Sequence, residues 1–335
     1  MKRTAVAVLA LVGLGLLLSL GCGRARQEPF ALQLCPVPGE SYTLRITTEQ
    51  RNVDATKKEQ STTSQTLSVA YICHVKEVDA EGVATVEVSI DSLSFKREGP
   101  SGKIDYDSDN PPAKPHMLVM GLAAMVGRRF SMRITREGRV TELQGIHAMR
   151  GEIEKAFGLP EGPMNDALVA DLKKQFSNSA MKKRIETITA IYPDRPIALG
   201  ESWSQKIAIE AGPFPMTMDN TYTLIGLDDD VATIRVRSTV EPNLDNDVAT
   251  TKLHSTADPN PDGELMEMGV TAISTQLSGT QKGTFELDRA TGLVCRGCLK
   301  QKLSGTTTIE FTVGTSSSKE SHPISIESTI RFKAN

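Results

Sequence analysis

Ala84, Val86 and Val88 alternate with Thr85 and Glu87, and the same alternation returns at Ala232, Ile234 and Val236 around Thr233 and Arg235. Successive side chains of a strand point to opposite faces, so a period of two puts the apolar groups on one face and the charges on the other. Both runs follow an acidic turn, Asp79-Ala80-Glu81-Gly82 before the first and Asp228-Asp229-Asp230 before the second. Threonine and serine alternate with apolar residues through much of the remaining chain, which is strand composition.

The landmarks around these two runs also match. Gly39-Glu40-Ser41-Tyr42 leads into Leu44 and Ile46, and Gly200-Glu201-Ser202-Trp203 leads into Ile207 and Ile209. A hairpin pattern runs through Phe130, Met132 and Ile134 to a turn at Gly138 and out through Val140. Its counterpart has Phe285 and Leu287, a turn at Gly292, and Val294. Three landmarks in the same order predict one β-unit used twice, over 39–144 and 191–335. The competing explanation is that unrelated β-hairpins reuse the same turn chemistry. Between the units, Ile146, Met149, Ile153 and Phe157 fall near helical spacing, as do Met164, Leu168, Leu172 and Phe176. Gly158, Pro160, Gly162 and Pro163 separate them, so 145–190 reads as a helical insert. A shorter helix is expected over His116 to Met125, and 264–334 reads as long antiparallel strands. The expected fold is α+β and mainly β: two related antiparallel units, as a twisted sheet or half-barrel, with helices inserted between them.

The N-terminus carries a different signal. Lys2 and Arg3 precede an uncharged run from Thr4 to Leu20, shorter than the ~20 residues of a comfortable membrane span and about the length of a signal-peptide core. Leu18-Ser19-Leu20-Gly21-Cys22 follows and resembles the lipobox of bacterial lipoproteins, although Ser19 stands where leucine is commonest. The resemblance implies cleavage after residue 21, acylation of Cys22 and a stable membrane anchor, at ~0.8 kcal/mol per buried methylene. Gly23 resembles the sorting pattern of outer-membrane destinations. Residues 22–38, with Pro29, Pro36 and Pro38, read as the acylated cysteine and its tether. Cleavage would remove two of the 38 basic residues and none of the 41 acidic ones. The resulting acidic chain has no basic stripe with interleaved aromatics, which argues against nucleic acid as a partner. Aromatics at 4%, with one tryptophan, argue against a carbohydrate-stacking surface.

The Gly-x-x-Tyr/Trp openings, the phrase Ile191-Tyr192-Pro193-Asp194-Arg195-Pro196-Ile197 and the lipobox together resemble an uncharacterised family of bacterial lipoproteins. That likeness covers most of 36–334 and rests on structural motifs, so it implies no catalytic residues. A looser likeness is to periplasmic lipoprotein carriers, which curl an antiparallel sheet into a half-barrel with helices against its open face. Fold alone does not give function.

No complete catalytic constellation is present in the sequence. Cys295-Arg296-Gly297-Cys298 lies in strand-like sequence, whereas a redox pair needs a helix N-terminus to depress the thiol pKa. With Cys35 and Cys73 far apart, zinc-ribbon spacing is missing too, and the four cysteines read as structural thiols or disulfides. Asp258, Asn260 and Asp262 begin a weak calcium-loop pattern whose twelfth position is Gly269 instead of glutamate. Asp105, Asp107 and Asp109 make a weaker one. Ser179-Ala180-Met181-Lys182 matches the Ser-x-x-Lys of penicillin-recognising enzymes without its companion elements, and Ser316 to Lys319 matches equally well. The five histidines are scattered. No cofactor, metal or enzymatic activity is expected.

These readings lead first to a non-enzymatic, membrane-anchored envelope protein that presents a surface or groove to a partner. They lead second to a carrier or sensor of a lipid or other apolar ligand in a half-barrel groove, and distantly to an envelope enzyme. For the ligand, Met117, Met120 and Met125 are the candidate lid, because methionine adapts to irregular apolar shapes.

Overall fold

The computed structural model describes residues 28–55, 60–158, 160–209, 216–243, 268–313 and 316–334. Strands β1 (Ser41–Ala55), β2 (Gln60–Val78), β3 (Ala84–Gly99) and β4 (Gly102–Asp107) come first, followed by helix α1 (Met117–Ala123). The hairpin β5 (Arg129–Ile134) and β6 (Val140–Gln144) leads into three helices, α2 (Ile146–Phe157), α3 (Pro163–Gln175) and α4 (Asn178–Thr189). Six more strands complete the chain: β7 (Ser202–Ile209), β8 (Met216–Leu227), β9 (Val231–Pro242), β10 (Met268–Asp288), β11 (Val294–Val313) and β12 (Ser316–Ala334). The helix over 145–158, that over 163–178 and the short one near His116 lie where the apolar spacing predicts them; α4 is additional.

All twelve strands form one antiparallel sheet, in the order β6-β5-β3-β2-β1-β12-β11-β10-β9-β8-β7, with β4 paired to the far end of β3. The two strand-rich halves are therefore one continuous sheet, joined where β1 pairs with β12 from Leu44↔Ala334 to Asp54↔Ile324. The sheet is not closed, because β6 and β7 are not hydrogen-bonded to each other. It is nonetheless strongly curled. Laid flat, eleven strands at ~4.8 Å spacing would hold the edges about 48 Å apart. Helix α4, whose twelve residues reach about 18 Å, packs against both.

Side chains of this region satisfy the edge that the ladder leaves open. The Glu186 carboxylate accepts from the Val140 amide at 2.8 Å, and Asn178 Nδ2 donates to the Leu143 carbonyl at 3.3 Å. On the other rim the bonds run outward from β7 and hold the preceding segment against it: Trp203 Nε1 donates to the Ile191 carbonyl at 3.0 Å and Gln205 Nε2 to the Tyr192 carbonyl at 2.9 Å. Covered edges of this kind do not recruit further strands.

A strap from Phe30 to Cys35 crosses one end of the curl. Phe30 exchanges backbone bonds with Ile197, the Leu34 amide donates to the Arg136 carbonyl, and the Cys35 amide donates to the Thr291 carbonyl. Leu32 and Leu34 are buried in the main core. This part of 22–38 is thus packed structure, and the length available as a spacer ends before Phe30. The strap's flanking prolines suit a tether, whereas its alternating leucines bury it.

The two halves share several local features. Gly39 donates to the Val75 carbonyl while Val75 donates to Glu40, and Gly200 and Leu224 repeat this with Glu201. Register shifts fall between Val75 and Glu77 in one half and between Leu224 and Gly226 in the other. A second pair falls at Arg133/Ile134 and Glu286/Leu287.

One further row crosses the sheet on its inner face. Gln205 opposes Asn220, Asn220 opposes Ser238, Ser238 opposes Gln281, and Gln281 opposes Gln301. Gln301 then opposes Ser328, Ser328 opposes Gln50, and Gln50 opposes Gln65. Directly opposed residues share a face, so this is a belt of neutral polar side chains through the interior. Asn220, Ser238, Gln281 and Ser328 are buried. Gln65 Nε2 donates to Gln50 Oε1 at 3.1 Å, and Gln50 Nε2 to Asn52 Oδ1 at 2.7 Å.

The turns under the strap set a sharp steric requirement. Gly138 and Gly292 have φ of 75° and 72°, and a Cβ would lie 1.8 Å from the Thr189 carbonyl oxygen at the first and 2.1 Å from that of Gln33 at the second. Alanine at either position combines left-handed strain with a backbone clash. Gly138→Ala and Gly292→Ala are each expected to lower unfolding free energy by on the order of 2 kcal/mol or more. Urea denaturation checks this, and an unchanged midpoint for both would refute it.

Candidate functional site

The curl does not fill completely. A cavity of about 340 Å³ lies between the inner face of the first half and the helices, within the ~300–1,000 Å³ of small-molecule sites. Its floor is set by strand alternation: Leu44 and Ile46 on β1, and Leu67, Val69, Tyr71 and Cys73 on β2. On β3 the floor residues are Val88, Ile90 and Leu93. The change from even to odd numbers follows from a bulge, since the register shifts between Ala70↔Ser92 and Tyr71↔Ile90 and leaves Asp91 unopposed. Phe130 and Met132 of β5 extend the floor.

The roof is helical. Leu122 and Met125 come from α1 and the turn after it, Met149 from α2, Phe176 from the α3–α4 junction, and Met181, Ile185 and Ile188 from α4. The short α3–α4 junction is fixed by Ser177, whose hydroxyl oxygen accepts from the Ala180 amide at 3.2 Å and caps α4.

Four polar side chains reach this apolar surface: Tyr71, Cys73, Arg184 and Thr189. Thr189 Oγ1 is committed to the Gly138 carbonyl at 2.8 Å. Burial pushes the Cys73 thiol up to about 11. Burial likewise raises the Tyr71 hydroxyl, with the nearby Cys73 adding to the shift and Arg184 opposing it. Arg184 itself is lowered, first by burial of its charge. An adjacent smaller hollow of about 140 Å³ is lined by Lys174, Ser177, Ser179, Ala180, Lys183, Ile209 and the same Arg184. Arg184 therefore lines both the apolar cavity and a smaller hollow bordered by lysine and serine side chains.

Of the candidate lid, Met125 lines the cavity, Met120 is half-buried outside the lining, and Met117 is 64% exposed at the start of α1. The larger part of the roof is α4, whose Met181, Ile185 and Ile188 are spaced by three and four residues. That spacing was present in the sequence, masked by the charges Lys182, Lys183, Arg184 and Glu186 interleaved with it.

The four cysteines are free thiols. Cys73 lies in the cavity wall. Cys298 opposes Thr284 and Arg331 along its two neighbouring strands, while Cys295 sits at the register shift opposite Glu286 and Leu287. Gly297 between them has a packing reason. A Cβ there would meet Phe285 at 2.6 Å, and the Phe285 and Phe332 rings stack edge to face with centroids 5.3 Å apart. Asp105 faces Lys96 at 3.4 Å, and Asp107 accepts from the Asp109 amide. Asp258, Asn260 and Asp262 lie outside the described residues, as does Cys22.

The fold is mainly β, one large open antiparallel sheet with few helices. The chain belongs to a family of unknown function, DUF6263, whose sequence model matches residues 81–294. No curated protein sequence matches it. Among solved structures, a lipovitellin described for its lipid–protein interactions is similar over 89% of this chain and 25% of its own, at 7% identity and a TM-score of 0.41. The chain thus spans a quarter of that protein. Acinetobacter baumannii OccAB4 follows over 88% of this chain and 98% of its own, at 8% identity and a TM-score of 0.17. The COG4313 outer membrane channel from Pseudomonas putida F1 covers 92% and 98%, at 7% identity and 0.15.

The shifted thiol yields a direct probe of the cavity. With a pKa near 11, Cys73 is about one part in a thousand thiolate at pH 8, and the thiolate is the reacting form. In a protein whose other cysteines are serine, a maleimide is expected to modify Cys73 at least about a hundredfold more slowly than a free thiol at that pH. Intact-mass kinetics measure the rate, and modification at the free-thiol rate would contradict the burial described here.

Proposed function

We propose that this protein is a non-enzymatic carrier or sensor of an apolar ligand, tethered to a bacterial membrane by acyl chains on Cys22. The cavity between the curled sheet and the helices carries the reading. Its wall is formed almost wholly by aliphatic, aromatic and methionine side chains, and it sits where a carrier with a helical cover would hold its cargo. Each methylene transferred from water into such a wall contributes about 0.8 kcal/mol. The cavity favours a ligand carrier over a protein-interaction surface as the main role. Location in the envelope, with the outer membrane favoured, rests on the lipobox-like Leu18 to Cys22 and on Gly23.

The same reading takes the two strand-rich halves as copies of one unit. Support comes from the paired glycine turns and from the two register shifts that recur at corresponding places. In this view the copies differ in use: the cavity floor comes from the first, while the second supplies most of the long strands that complete the curl.

Two measurements test the proposal. In a bacterial host, Cys22→Ser is expected to abolish incorporation of labelled palmitate and to release the protein from the membrane fraction. Retained label would remove the anchor assignment. In solution, a series of primary alcohols displacing a fluorescent apolar probe should bind about fourfold more tightly per added methylene until the cavity is full, then level off. Absence of displacement at any chain length would overturn the carrier reading.

A further inference from the structure

We infer that the ligand is a single-chain amphiphile with an anionic head, its chain in the apolar cavity and its head on the guanidinium of Arg184. This deepens the carrier reading and depends on it. Among the described residues lining the cavity, Arg184 is the one that carries a full charge, and it also lines the smaller hollow next door. The hollow adds Lys174, Ser177 and Ser179 and includes no carboxylate among its lining residues.

Arg184 has little to do in the fold itself. Its Nη1 lies 3.8 Å from the Met181 sulfur, a weak acceptor. Several other arginines pair with carboxylates, as Arg128 with Glu152, Arg133 with Asp79 and Arg331 with Glu49, while Arg45 bonds a serine and Arg289 backbone carbonyls. Arg184 is exposed at the mouth of the cavity, so its guanidinium is open to an anion arriving from solvent. Its planar fork of donors fits a carboxylate or a phosphate monoester with two parallel bonds. Tyr71 is close enough for the two groups to influence each other's ionisation, and its hydroxyl supplies a further donor on the cavity side. The polarity of the site is thus graded, from the aliphatic floor through Tyr71 and Arg184 to Lys174 and the serines. A free amphiphile has the same gradient.

The test compares heads at constant chain length. The full chain carrying Cys22→Ser, stripped of bound lipid, is titrated with myristate, myristyl phosphate, myristyl alcohol and myristyl trimethylammonium against a fluorescent apolar probe. Myristate or the phosphate is expected to bind roughly tenfold to a hundredfold more tightly than the alcohol, the range for a charge-assisted bond. Arg184→Gln should erase that advantage while leaving the alcohol's affinity unchanged, and Arg184→Lys should restore part of it. Equal binding of acid and alcohol, tighter binding of the cationic amphiphile, or parallel loss of acid and alcohol binding in Arg184→Gln would each overturn the inference while leaving an apolar carrier intact. Failure of all four compounds to bind would instead remove the carrier reading itself.

Discussion

The pairing of β1 with β12 holds the architecture together. Each half is a meander whose strands find their partners locally, but neither meander alone brings β6 and β7 within reach of a single helix. Zipping the first strand against the last, from Leu44↔Ala334 to Asp54↔Ile324, turns two sheets into one long enough to curl. Arg331 reaches Glu49 across this seam over a sequence separation of 282 residues, and the backbone ladder supplies the rest. The exposed ion pair itself adds little. Contacts so distant in sequence carry a large loop-closure cost before they are rewarded. The helices, the strap and the cavity all depend on a junction that forms only once nearly the whole chain is present.

The cavity follows from that geometry. A sheet curled around a core must fill its concavity with side chains from its own inner face and from whatever covers the opening. In the second half, Phe285, Phe332, Tyr222 and Leu224 fill the space, with Trp203 stacked on Tyr222 at a centroid distance of 5.5 Å. In the first half the inner residues are mostly aliphatic and shorter, and the cover is helical. Helices meeting a curved sheet touch it along lines, and the remainder is the space bounded by β1–β3, β5 and α4. Methionines at positions 125, 132, 149 and 181 border it, and their unbranched chains tolerate changes of shape.

Much of the fold was legible because alternation is a local signal. Ala84 to Val88 and Ala232 to Val236 are strands with the expected faces buried, and Ile146, Met149 and Ile153 are the buried stripe of α2. Features set by distant partners were not legible. Leu32 and Leu34 look like part of a proline-flanked spacer until Arg136 and Thr291 are known to lie beside them. Helix α4 was hidden because four charged residues and Thr187 interrupt its apolar stripe, yet it contributes more of the cavity roof than any other helix. Among the lid methionines, Met125 reaches the cavity and Met117 does not, since α1 presents its N-terminal end to solvent. Gln50, Asn220, Ser238 and Gln301 gave no hint of lying inside the curl, because amides and hydroxyls between charged neighbours read as surface.

That polar belt does something alternation cannot. A strand slipped by one residue turns its apolar side chains outward and is rejected at once, but a slip of two preserves every inside and outside assignment. Long strands such as β10, β11 and β12 are exposed to this second error, since most of their ladder would survive it. The belt makes it costly. Moving β1 by two residues against β2 would break the Gln65–Gln50 bond and leave Gln50 facing Leu67 or Thr63. Each amide or hydroxyl stranded in this way costs roughly 1–3 kcal/mol. A row of modest polar residues thus crosses eight strands in register, and where it is hydrogen-bonded, between β1 and β2, it distinguishes the native pairing from frame-shifted ones that the hydrophobic pattern would accept.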